Sequence, residues 1–188
     1  MSHAPPGYGF TPREHSAALE RFIDRLALTD LTMMVQDWGG PIGLGFTGRR
    51  PELVCRLIID NTFAWPLEGD RPIRLFSWVM GGPIGRSLTA AFNFVPKFFF
   101  ARGFAHKPAP DVIDAYLAPW KDRRRRVAAV VAPRQLMVAS DYLREVEQGL
   151  TRFADRPVLI VWGTRTSPSG GRRARASSAA FRDIGPCC

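Results

Sequence analysis

The stretch Leu31-Thr32-Met33-Met34-Val35-Gln36-Asp37-Trp38-Gly39-Gly40-Pro41-Ile42-Gly43 most constrains what this chain can fold into. A β-type apolar run, Leu31 to Val35, ends at Gln36-Asp37-Trp38 and passes at once into a glycine-rich segment. That order predicts a strand, a sharp strained turn and a helix, with the turn residue presented at the strand's end. Gly39 and Gly40 suit the place because the helix must run close against the strand it has just left. Asp37 at the apex predicts a carboxylate nucleophile, which attacks through oxygen and leaves an ester on the protein. Trp38 adds a backbone N–H and an indole N–H. The plainer alternative is that Asp37 only caps the following helix.

The flanking text supplies the rest of an α/β layer. Thr11-Pro12-Arg13-Glu14 predicts a helix start, with Thr as cap, Pro in the first turn and Glu closing a capping box. Leu19, Phe22, Ile23 and Leu26 follow at helical spacing and predict its buried face, up to about Ala27. Strand Leu31–Gln36, a helix to about Thr47 and a second strand Val54–Ile59 then form a strand–helix–strand unit with parallel pairing. From Pro66 to about Arg152 the pattern is helical and broken by proline and glycine, which predicts an inserted helical cap. Its Trp65, Phe76, Trp78, Phe92, Phe94 and Phe98–Phe100 read mainly as that cap's own core, or as a roof over an apolar pocket. Arg123–Arg126 reads as the solvated face of a helix. Pro157–Gly163 predicts a third, buried parallel strand.

Val35-Gln36-Asp37-Trp38-Gly39-Gly40-Pro41-Ile42-Gly43-Leu44 closely resembles the elbow of haloalkane dehalogenases of the α/β-hydrolase fold, and the resemblance runs from about Pro6 to Gly163. It implies a partial α/β-hydrolase fold, a parallel sheet remnant flanked by helices with an inserted helical cap. The implied divisions are a core segment over 1–65, a cap over 66–152, a core strand over 153–163 and a tail over 164–188. It further implies Asp37 as nucleophile, Trp38 as halide and oxyanion donor, and Asn61 as a pocket residue at the end of the second strand. The expected partners are a small haloalkane, water and the halide product, with no organic cofactor and no metal.

Two parts of that chemistry are missing from the text. The only histidines are His3, His15 and His106, and none matches the family's late catalytic histidine. Where the family reads Val-Trp-Gly-Asp-x-Asp, this chain has Val161-Trp162-Gly163-Thr164-Arg165-Thr166. Asn61 stands where another subgroup places a Glu and carries no charge, and strand alternation turns Asp60 the other way. The codons ACC AGG ACT TCG CCT TCC write Thr-Arg-Thr-Ser-Pro-Ser; entered one base earlier they give Asp-Gln-Asp-Phe-Ala-Phe. We therefore expect residues 164–188 to be out of frame, although a genuine disordered tail has similar composition. The N-terminus reads as the middle of a longer relative, with earlier strands absent. The literal chain is then expected to be inactive as a catalyst. The rivals are an epoxide hydrolase-like enzyme using Tyr116 and Tyr142, or a non-catalytic remnant that at most binds a ligand.

Charge decides little. The net charge of +9 includes four positive charges from residues 164–188, where five Arg face one Asp. No nucleic-acid-binding motif accompanies them, so nucleic acid is not expected as a partner. The run Phe92–Phe104 is too short and too interrupted to span a bilayer, and no signal peptide is visible at Met1, so a cytoplasmic location is expected. Cys55 reads as buried filler, and neighbouring Cys187 and Cys188 give no disulfide framework. Oligomeric state is left open.

Overall fold

A computed structural model describes residues 4–104 and 108–162; His3, His106, the 164–188 segment and the terminal cysteines lie outside the described residues. The chain divides into two compact units, one of Pro12–Pro66 with Asp141 onward, the other of the first eleven residues with Leu67–Ser140.

The first unit holds the sheet. Helix α1 (Pro12–Arg25), strand β1 (Leu31–Asp37), helix α2 (Gly39–Arg49) and strand β2 (Val54–Thr62) follow one another. Strand β3 (Val158–Val161) completes a parallel sheet in the order β1-β2-β3. Leu31, Met33 and Val35 of β1 join Leu57, Ile59 and Val158 on one face. That face packs on Ile23 of α1, Leu44 and Phe46 of α2, and Phe153. The opposite face is open: Met34 is 66% exposed, and Leu159 and Val161 are exposed as well. β3 is therefore not the buried strand that its apolar sequence predicts, because among the described residues helices cover only one side.

Helix α1 also differs from its sequence reading. Phe22 and Leu26 are exposed, while Pro12, Ser16, Ile23 and, in part, Leu19 face inward. The inward stripe is rotated by about one residue because the Ser16 hydroxyl is drawn in to donate to the Ile42 carbonyl at 2.8 Å. A buried hydroxyl with a partner costs little, so polarity alone misplaced the face.

Residues 141–152, assigned from sequence to the helical insertion, belong with the sheet. They form most of helix α8 (Ser140–Gly149), whose Tyr142 and Val146 join the same core. The Tyr142 hydroxyl donates to the Pro41 carbonyl at 2.8 Å. A Cβ at Gly45 would lie 2.1 Å from that hydroxyl oxygen, so only glycine lets α2 and Tyr142 meet this way.

The second unit contains α3 (Arg71–Gly81), α4 (Pro83–Phe92), α5 (Phe94–Arg102), α6 (Pro110–Leu117) and α7 (Val127–Val138). Asp70 caps α3 by accepting from the Ile73 N–H. Asn93, at φ 61°, makes the left-handed break between α4 and α5 that a short polar side chain tolerates. Trp78, Phe92 and Phe99 are exposed rather than forming a core; Met80, Thr89, Val95 and Ala129 are buried instead. In the Arg123–Arg126 run the first three arginines are exposed, as the solvated-face reading expects, but Arg126 is not. It is 9% exposed, and its guanidinium donates to the carbonyls of Trp120, Lys121, Ala90 and Ala91.

Candidate active site

Strand β1 delivers Asp37 to the C-terminal edge of the sheet, where open α/β sheets place their ligands. Its backbone lies at φ 46°, a left-handed conformation that costs a non-glycine residue roughly 1–2 kcal/mol. The strain follows from the sequence: β1 must reverse into α2 within one residue, and α2 begins at Gly39. Trp38 occupies the N-cap position and makes no side-chain cap bond.

The Asp37 carboxyl is reached by solvent yet hemmed in by the elbow, and this loss of hydration raises its pKa above the ordinary carboxylate value. A hydrogen bond from the Trp38 backbone N–H opposes the rise. The carboxylate is thus partly desolvated and accepts from one backbone N–H. The Trp38 ring is set edge-on against Phe63, with centroids 5.2 Å apart. Phe63, buried at the end of β2, was not singled out from sequence; its place directly after the strand is the only signal that marked it. Among the described residues the Trp38 indole N–H donates to no protein acceptor.

The end of β2 corrects the alternation argument. Gln36 pairs with Asp60, but Asp37 pairs with Thr62, so the register slips by one at Asn61. Asn61 sits at φ 36° in that bulge, and its amide donates to the Asp60 carboxylate at 2.6 Å. Asp60 and Asn61 therefore meet side chain to side chain, which strict alternation forbids; a bulge breaks the period. Both remain beside Asp37 at the same edge of the sheet.

Thr62, opposite Asp37, is 4% exposed and donates its hydroxyl to the Asp37 carbonyl at 2.5 Å. A Cβ on Gly40 would stand 1.7 Å from Thr62 Oγ1, 2.8 Å from its Cβ and 2.9 Å from its Cγ2. No rotamer of Thr62 clears all three, so Gly40→Ala is expected to destabilise the fold by about 1–3 kcal/mol. Chemical denaturation of the two proteins checks this; equal midpoints would contradict the geometry.

The remaining candidates fall elsewhere. His15 lies on α1, with its pKa lowered by burial. Tyr142 spends its hydroxyl on Pro41 within the sheet unit, and Tyr116 lies on α6 against Phe100 in the helical unit. Cys55 is buried and its thiol donates to Asp30. Among the described residues no three His, Cys, Asp or Glu side chains group to hold a metal ion. No helix among them is long and apolar enough to cross a membrane.

Comparison with known proteins identifies the fold. The α/β hydrolase fold family matches residues 2–172. Haloalkane dehalogenase 2 of Mycobacterium tuberculosis is 28% identical over 166 residues, covering 88% of this chain and 58% of that protein. Cis-3-alkyl-4-alkyloxetan-2-one decarboxylase of Xanthomonas campestris is 31% identical over 170 residues, covering 86% and 56% respectively. The chain spans somewhat over half the length of these relatives. Among solved structures, the haloalkane dehalogenase DatA from Agrobacterium tumefaciens matches with a TM-score of 0.79 at 18% identity, over 97% of this chain and 66% of that one. An ancestral haloalkane dehalogenase matches at 0.74 and 22% identity, over 92% of this chain and 65% of that one. The family match runs across most of the sequence and the solved neighbours share its architecture, so this chain belongs to the α/β-hydrolase fold family and counts haloalkane dehalogenases among its relatives.

Proposed function

We propose that this chain carries the nucleophilic half of a haloalkane dehalogenase-like hydrolase. The observation that supports the reading best is Asp37 itself: a strained, partly desolvated carboxylate at the end of a parallel strand, next to an indole N–H that finds no acceptor among the described residues. An Asp37 oxygen attacks the carbon bearing the halogen, the carbon–halogen bond breaks, and the halide leaves with the electron pair. The Trp38 indole N–H receives the halide, and Asn61 lines the pocket from the end of β2. The Trp38 backbone N–H holds the other carboxylate oxygen, on which negative charge builds when water later attacks the ester carbonyl.

Completing the cycle needs a base to take a proton from that water. His15, the one described histidine, sits on α1 rather than at a strand end. The ester on Asp37 is therefore expected to form and persist, and the chain as written acts once. Incubation of the full chain with 1-bromobutane, followed by intact mass and peptide mapping, tests this. One butyl group on the peptide bearing Asp37, with at most one bromide per chain, is the expected result. Many bromides per chain would refute the single turnover; no adduct would refute the nucleophile.

A second reading rests on the oxetanone decarboxylase likeness, at 31% identity. Supplying a cis-3,4-dialkyl-oxetan-2-one in the same assay separates the two. Release of carbon dioxide without halide chemistry would favour that relative's substrate class.

A further inference from the structure

We infer that Thr62 is the positioning residue of the elbow, holding Asp37 in its strained conformation; the inference rests on the nucleophile reading of Asp37. Three independent features converge on this side chain. The one-residue bulge at Asn61 sets Thr62, and not Asn61, opposite Asp37 across the β1–β2 pair. The Thr62 hydroxyl then donates to the Asp37 carbonyl at 2.5 Å while the side chain is 4% exposed. Gly40, the second residue of α2, has no Cβ at the spot where one would collide with every heavy atom of the Thr62 side chain beyond Cα.

The physical logic is local. At φ 46° the Asp37 peptide is turned away from its strand-like direction, and its carbonyl is not part of the α2 ladder, whose first bond runs from the Ile42 N–H to the Trp38 carbonyl. Thr62, on the neighbouring strand, donates its hydroxyl to that part-buried carbonyl, and losing such a bond costs stability. Releasing that bond lets the peptide rotate toward an ordinary conformation. The carboxylate then swings off the Trp38 N–H and out of its poorly hydrated position. Thr62 touches no substrate in this scheme and acts only through Asp37.

Two variants and two readouts test it. Thr62→Val keeps the shape and removes the hydroxyl, whereas Thr62→Ser keeps the hydroxyl. Thr62→Val is expected to slow formation of the Asp37 butyl ester by about tenfold, the loss of one buried hydrogen bond, and Thr62→Ser to stay within about twofold. Independently of any chemistry, the NMR titration midpoint of the Asp37 carboxyl should fall toward the ordinary aspartate range in Thr62→Val and stay in place in Thr62→Ser. An unmoved midpoint in folded Thr62→Val, or equal shifts in both variants, overturns the inference. If the parent chain forms no ester, the nucleophile reading fails, and the titration still decides whether Thr62 sets the elbow.

Discussion

Asp37→Asn is expected to abolish ester formation with alkyl bromides, by roughly 10³-fold or more, because an amide oxygen is a far weaker nucleophile than a carboxylate. Asn accepts the left-handed backbone nearly as well as Asp, so the elbow should keep its shape. The same substitution should stabilise the fold at neutral pH. Burial raises the Asp37 pKa above its unfolded value, so the folded state holds this proton more tightly than the unfolded chain does. Stability is therefore greatest below the ordinary aspartate range and declines as pH rises through that range to the raised folded value. Above both values the ionised carboxylate weighs against folding, and Asn removes that penalty. Thermal melts of the two proteins across pH should separate at neutrality and converge in acid, with Asp37→Asn the more stable. A variant that is less stable at pH 7, or that still gains a butyl group on this peptide, would contradict the assignment.

Arg126→Met is expected to give the largest loss of stability, about 3 kcal/mol or more. The guanidinium satisfies four carbonyls, two of them in the last turn of α4, where no intrahelical donor exists. Methionine fills the volume but leaves those acceptors buried and unpaired. Lysine offers three donors from a single point and is not expected to rescue them. Arg123→Met, at the start of the same run but exposed, should lie within about 0.5 kcal/mol of the parent. Thermal unfolding followed by circular dichroism separates the cases, and comparable melting temperatures for the two methionine variants would show that the carbonyl cluster carries little weight.

The aromatic residues teach a related point. Trp78 and Phe92 share composition with core residues, yet both are largely exposed, while Thr89 nearby is fully buried. Hydrophobicity predicts that a side chain prefers burial; it does not supply the surface that would cover it. In α1 the same limitation appears as a rotation, with Ser16 taken inside by its bond to Ile42 and Phe22 left out.

The amino-acid sequence by itself determined the elements with local causes. The apolar run into Asp37-Trp38-Gly39-Gly40 required a strand, a reversal and a helix, and β1, the positive φ at Asp37 and α2 stand where those residues demand. Parallel pairing of β1 with β2 followed from the helix between them. Tertiary structure alone decided what depends on distant partners. The bulge at Asn61, the meeting of Thr62 with Asp37, the docking of Tyr142 on Pro41 and the burial of Arg126 all join residues from separate segments. Propensity and periodicity are properties of neighbours along the chain. Hydrogen-bond satisfaction in the interior is settled across space, so a polar side chain shows which carbonyl it answers only once the fold has brought the two together.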